Sequence, residues 1–307
     1  MGVLLVFVDG IGVGKAGAPN PFDGAPVRLL APMVAGRPGD PRMAFEAIDA
    51  SLGHPGLPQS ATGQATIFTG RDAVAAAGGH REGYPTRAVG EVILRESIFA
   101  TARASGKKAG FLNAFDSVRG ARIARIARGE ELPVRGGLKP SASTLAALAG
   151  GGELRTMDDA HAGRAITFDF TGEVLRAFGV DAPVRSLDEA AHVLAHAASE
   201  LDLGLFETFL TDKAGHAQDM AWARHEIARL ERFLRALLDA VDPHRQLVVL
   251  TSDHGNLEDL STRSHTLARV PLMAFGDGAE AFVRNARSLL DVAPRLLSFA
   301  GVANEVT

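Results

Sequence analysis

The sequence of 307 residues contains no cysteine. That absence excludes disulfides and thiolate metal sites, so any metal has to rest on histidine, carboxylate or hydroxyl ligands. It leaves the redox compartment open. Concentrated basic charge is also missing: 32 Lys and Arg stand against 36 Asp and Glu, for a net charge of −4. This balance speaks against nucleic acid as a partner. No run of about 18 uncharged apolar residues occurs, and no membrane span is expected. The opening MGVLLVFVDG is apolar only over Val3–Val8 and has neither a basic n-region nor a cleavage site. It reads as a strand rather than a signal peptide, and a cytoplasmic location is the expectation. No internal repeat or low-complexity segment is evident.

Hydrophobic residues make up 46% and charged residues 22%, enough for a sizeable core in one large domain or in a core with an insert. Short apolar runs bounded by turn residues predict strands at Val3–Val8, 108–113, Gly204–Leu210, Gln246–Leu250 and Val270–Phe275. A turn over Pro58–Gln64 opens a helix through Ala65–Thr69. Further helices are expected at 88–105, Arg119–Arg128, Ser186–Leu201, Gln218–Val241 and Ser288–Phe299. Residues 11–40, rich in Gly and Pro, read as loop. The alternation predicts an α/β fold layered around a largely parallel sheet. The irregular texture of 116–182 marks a small insert or cap, leaving 1–115 and 183–307 as the core.

Three predicted strands lead into carboxylates. Val3–Val8 ends at Asp9, Gly204–Leu210 leads to Asp212 and then His216, and Gln246–Leu250 leads to Asp253-His254; His265 follows shortly before the strand at 270. Taken singly, each is a turn former, a helix cap or a surface histidine. Taken together they are six hard or borderline ligands at strand ends, where open α/β sheets bind their ligands. Such a set suits Zn²⁺ or Mn²⁺ rather than a soft metal. Ser60, at the start of a helix in Ser60-Ala61-Thr62-Gly63-Gln64, is the candidate nucleophile. Read alone it is an N-cap, but a helix N-terminus also suits a phosphate, and metal coordination activates a hydroxyl.

These residues resemble the alkaline phosphatase superfamily, nearest to its branch of cofactor-independent phosphoglycerate mutase and phosphopentomutase. The matching motifs are Val8-Asp9-Gly10, Ser60-x-x-Gly63-Gln64, Asp212-x-x-Gly215-His216, Asp253-His254-Gly255-Asn256 and Ser264-His265-Thr266 before Val270-Pro271. The resemblance implies a three-layer α/β/α sandwich and two divalent metal ions. Asp212, His216 and His265 would hold one. Asp9, Asp253 and His254 would hold the other, with Ser60 completing its shell and becoming a phosphoserine. Thr62 and Gln64 are candidate substrate contacts, and the partner is a small phosphorylated molecule. The sequence departs from the family at Gln64, where a histidine is frequent, and in its small insert. A mutase must hold its substrate while the product turns, so a small cap favours transfer to water: a phosphomonoesterase or phosphodiesterase, with a phosphomutase as the alternative.

Rival readings are weaker. Asp9–Lys15 mimics a phosphate loop, but Asp9 replaces its first Gly and Ala16 its Ser/Thr. A sulfatase would need a modified Cys or Ser nucleophile. A metal-binding protein without turnover is countered by the intact Ser60. His192 and His196, four apart and near Asp188, read as a partly solvated helix face, with metal ligation as the alternative. Arg119, Arg122, Arg125 and Arg128 read likewise, with anion binding as the alternative. His80 and Tyr84 are candidates for lining the pocket or for loop packing.

Overall fold

The computed structural model describes residues 1–134 and 136–303. Its strands are β1 (Gly2–Val8), β2 (Ala44–Ile48), β3 (Ala109–Phe111), β4 (Ala114–Phe115), β5 (Arg155–Thr156), β6 (Leu203–Thr208), β7 (Gln246–Thr251) and β8 (Val270–Phe275). The helices begin with α1 (Ser60–Thr69), α2 (Ala73–Ala77), α3 (Arg87–Glu96), α4 (Ile98–Ala104), α5 (Ser117–Ala127) and α6 (Ala142–Leu148). They continue with α7 (Met157–His161), α8 (Glu173–Ala177), α9 (Leu187–Ser199), α10 (Leu210–Ala217), α11 (Met220–Ala240), α12 (Ala279–Val283) and α13 (Val292–Phe299).

Six strands form one sheet in the order β2-β8-β7-β1-β6-β3. Four of them (β7, β1, β6 and β3) pair in parallel, whereas β8 runs antiparallel to both β7 and β2. Strand side chains alternate between faces, and β1 divides accordingly. Val3, Leu5 and Phe7 join one core with α1, α3, α4, α6 and α13. Leu4, Val6 and Val8 join the other, with α9 and α11. Both faces are thus covered, which is why β1 and the stretches Leu203–Phe206 of β6 and Leu247–Leu250 of β7 read as apolar runs. The architecture is the three-layer α/β/α sandwich expected. Among the described residues no helix is long and apolar enough to cross a membrane.

Several boundaries differ from the sequence reading, each for a local reason. β6 stops at Thr208, and the apolar Phe209-Leu210 that seemed to prolong it opens α10 instead. Gln218 closes α10 in a left-handed conformation, so α11 starts at Met220 behind its Asp219 cap. The helix expected over 88–105 breaks at Ser97, whose hydroxyl caps the Phe99 N–H and donates to the Ala146 carbonyl. β2 lies inside a stretch with no clear period. The expected insert is not uniform either. Within 116–182, the Ala142–Leu148 helix packs into the core with α1 and α3. A separate small cluster of Ala114, Met157, Ala160, Ala165 and Ala182 sits under the β4–β5 pair. Phe170, at the edge of this segment, packs on Phe206 and Phe233 with ring centroids 5.7 and 4.4 Å away.

Candidate metal centre

The carboxyl ends of β1, β6 and β7 open onto one edge of the sheet. Asp9 follows β1 directly, Asp253 and His254 follow β7 after Ser252, and Asp212 and His216 face the same edge from α10. Because β8 is antiparallel, the segment preceding it returns to this edge, and a bridge between Gly255 and Thr266 closes the excursion. That return delivers His265. α1 packs so close that a side chain on Gly63 would meet the Asp253 carbonyl oxygen at 2.9 Å, which places Ser60 at the rim.

Two overlapping groups of ligand atoms result, each with all its atoms within 4.8 Å: Asp212, His216 and His265, and Asp9, Asp212 and His254. In the first, the His216 and His265 Nε2 atoms are 3.2 Å apart and lie 3.3 and 3.7 Å from the Asp212 oxygens. In the second, the His254 Nε2 is 3.3 Å from Asp9 Oδ1, 3.5 Å from Asp253 Oδ2 and 2.9 Å from Ser60 Oγ. The grouping differs from the one the family resemblance implies. Asp212 stands between the two groups, its Oδ1 held by the Asn256 amide at 2.7 Å. Asp253 adjoins the second group through His254 and Gln64.

The arrangement fits divalent cations. The Nδ1 atoms of His216 and His265 donate to the carbonyls of Arg263 and Pro58, at 2.7 and 3.0 Å, leaving both Nε2 lone pairs aimed inward. Two such acceptors at 3.2 Å, and one His254 nitrogen facing three oxygens, exceed what single protons can satisfy. Among the described residues, Asp9 Oδ1 is buried with no hydrogen-bond partner. Among the described residues, Asp9, Asp212 and Asp253 form ion pairs with histidines alone. Burial, then the Asp253 and Asp212 charges, push the Asp9 carboxyl well above its usual range. Burial and Asp212 push Asp253 up to about 7, while burial and His265 push His254 down to about 3. Carboxylates strained by burial and mutual repulsion, beside the His254 imidazole held neutral, are the state a bound cation relieves.

A family model described as "Metalloenzyme superfamily" matches residues 170–304. The chain is 34% identical over 98 residues to the 2,3-bisphosphoglycerate-independent phosphoglycerate mutase of Halobacterium salinarum. That match covers 30% of this chain and 19% of the mutase, so the chain spans about a fifth of the length of the curated relatives it matches. Its fold is similar to the alkaline phosphatase of the Antarctic bacterium TAB5, with a TM-score of 0.54 and 15% identity over 99% of each chain. It is also similar to the phosphoglycerate mutase of Leishmania mexicana, with a TM-score of 0.53 and 14% identity over 99% of this chain and 96% of that one. The fold is thus alkaline phosphatase-like.

The departure from the family pattern at Gln64 has a visible consequence. The Gln64 amide donates to Asp9 Oδ2 and Asp253 Oδ2 at 3.2 and 3.1 Å, bridging two carboxylates. Thr62 is fully buried, donates to the Gln59 carbonyl and accepts from the Arg81 N–H. Both side chains, read from sequence as substrate contacts, are thus committed to the wall of the site. His80 is half-buried and stacks edge-on with His54, and Tyr84 is exposed. His192 and His196 lie on the exposed side of α9, the His192 Nδ1 bonded to the Asp188 carbonyl. Arg122 and Arg125 pair with Glu131. The structure adds residues with no motif of their own. Thr211 donates to the Asp9 carbonyl at 2.6 Å. Glu207, on β6, is buried, accepts from Ser143, and is pushed up to about 7 by burial.

Proposed function

We propose that the chain is a divalent-metal-dependent phosphoryl-transfer enzyme and, within that class, a phosphohydrolase acting on small phosphomonoesters or phosphodiesters through a phosphoserine at Ser60. The observation that carries this reading is Ser60 Oγ lying 2.9 Å from His254 Nε2, at the rim of a cage built from Asp9, Asp212, Asp253, His216, His254 and His265. The ligand set suits Zn²⁺ or Mn²⁺. When bound, such ions acidify a hydroxyl and offset charge on phosphoryl oxygens.

The chain's own residues supply the rest. α1 holds Ser60 at its first turn with its N-terminal end toward the site, favourable for a phosphate. Gln64 and Asn256 fix the carboxylates, and the carbonyls of Pro58 and Arg263 fix the imidazoles. Ser60 Oγ loses its proton and bonds to phosphorus as the bond to the leaving oxygen breaks, and the leaving group takes up a proton. Water then attacks the same phosphorus, the P–Oγ bond breaks, and Ser60 regains its proton.

A phosphomutase is the second reading, favoured by the mutase relatives. The short segment of 116–182 outside the core favours water as the acceptor. Release of p-nitrophenol from p-nitrophenyl phosphate and its diester, with Mn²⁺ or Zn²⁺, tests the proposal. Turnover that vanishes in Ser60→Ala, with metal content unchanged, supports it. A metal-loaded chain that cleaves neither ester, but moves phosphate within a sugar phosphate, establishes the mutase. No turnover of any phosphate ester leaves a metal-binding protein.

A further inference from the structure

We propose that Glu258 is a positioning residue whose single buried carboxylate holds both metal-ligand groups in register. The inference deepens the metal-centre reading above and rests on it.

Three chain segments that carry ligands converge on this carboxylate. Its Oε2 accepts the Gly12 N–H at 2.9 Å and the Asn256 N–H at 2.8 Å, and its Oε1 accepts the Thr266 hydroxyl. Gly12 lies on the loop that leaves Asp9. Asn256 closes the turn of Asp253 and His254, and its amide also grips Asp212. Thr266 follows His265 directly. Glu258 is 3% exposed, and no Lys, Arg or His pairs with it among the described residues. A buried carboxylate without a cationic partner is costly, so these three donors are what keep it in place.

The surrounding backbone is shaped to this side chain. A methyl group on Gly12 would stand 2.5 Å from the Glu258 Cδ, and one on Gly255 would stand 2.5 Å from Oε1. Glycine at position 12, in the stretch that mimics a phosphate loop, is thereby explained by close approach of a carboxylate rather than by a nucleotide. Backbone bonds run alongside: Leu257 N–H to the Gly10 carbonyl at 2.9 Å, and Thr266 N–H to the Gly255 carbonyl at 3.0 Å. Because the clamp touches the Asp9 loop, the Asp253–Asn256 turn and the His265 segment together, its loss is felt in both groups. Loss of the Thr266 hydroxyl is felt on the His265 side alone.

Stepwise Mn²⁺ titration of the full chain by calorimetry tests the proposal without reference to turnover. The binding step weakened by His216→Ala identifies the group of Asp212, His216 and His265. Glu258→Ala is expected to weaken both steps about 10- to 100-fold. Glu258→Gln, which keeps an acceptor at Oε2, is expected to restore most of the loss, a rescue that a mere space-filling role would not require. Thr266→Ala is expected to weaken the His265 step alone. Should Glu258→Ala not fold, the Thr266→Ala pattern decides: selective weakening supports the clamp, and equal or absent weakening overturns it. Wild-type affinities in a folded Glu258→Ala also overturn it. Wild-type chain that binds two Mn²⁺ but cleaves no ester would overturn the hydrolase reading and leave the clamp intact. A wild-type chain that binds no Mn²⁺ overturns both.

Discussion

Without its metals the protein is expected to lose stability as pH rises from 5 to 7. In chelator, burial and Asp212 hold Asp253 at about 7, and burial holds Glu207 at about 7, against ordinary values of 3.8 and 4.5. A carboxyl raised in the folded state contributes stability below its unfolded value and loses it as pH climbs through the folded one. His254 acts oppositely. Held down at about 3 rather than 6.5, it costs stability as pH falls below 6.5. From pH 5 to 7, at about 1.4 kcal/mol per pH unit, Asp253 and Glu207 together lose about 5 kcal/mol, and His254 returns about 2 kcal/mol. The net loss is about 3 kcal/mol, and the raised Asp9 adds to it in the same direction. At about 2.1 cal/mol/K per residue, the unfolding entropy is about 0.6 kcal/mol/K, so Tm should fall by about 5 °C. Bound cations keep the carboxylates ionised, so the rise in Tm that metal brings should grow with pH. Thermal melts followed by circular dichroism, in EDTA and in saturating Mn²⁺ at both pH values, read this out. A metal-free Tm that climbs toward neutral pH would refute the reasoning, as would a metal-induced gain that shrinks.

Asp212→Ala should remove more metal than His216→Ala, because Asp212 alone belongs to both ligand groups; elemental analysis after dialysis measures it, and equal losses would contradict the shared position. Gln64→Leu deletes two donors to buried carboxylates and should cost about 1.5–3 kcal/mol in urea unfolding of the metal-loaded protein. A cost near zero would mean that the amide does not support the cage. Gly10→Ala should lower stability and metal uptake together, since the left-handed backbone (φ +74°) disfavours a side chain and its Cβ would meet Asp212 atoms at 2.7–2.8 Å. An unperturbed melt would show that the Asp9 turn yields more easily than its packing implies.

The cage was legible in the sequence because its ligands follow strands whose apolar runs announce them: Asp9 after β1, Asp253 and His254 after β7. Asp212 was placed correctly in space for a reason slightly off in detail, since it rides the first turn of α10 rather than a loop after β6. What escaped was whatever lacked periodicity. Ala142–Leu148 is buried on every side, so its Ala-, Ser- and Thr-rich stretch shows no polar face to mark a helix. β2, with a partly exposed AFEAI pattern at the sheet edge, has too little contrast to stand out from the Gly- and Pro-rich stretch before it. Glu207 and Glu258 are single carboxylates whose burial depends on partners up to 246 residues away, a relation that no local spacing records. Gln64 could be seen as a departure from the family, but only the fold reveals that its amide spans two acids.

The reversed direction of β8 has a consequence for how this protein can vary. Were that strand parallel, its leading end would lie at the far edge of the sheet, about 20 Å away for six residues, and His265 would be stranded with it. Instead, Asp253, His254 and His265 sit on one excursion moored at both ends to neighbouring strands. Lengthening or shortening it by a residue would slide half the ligands out of place at once. Among the described residues, the outer parts of 116–182 carry no such tether to the cage, and that is where changes in length can accumulate while the chemistry underneath stays fixed.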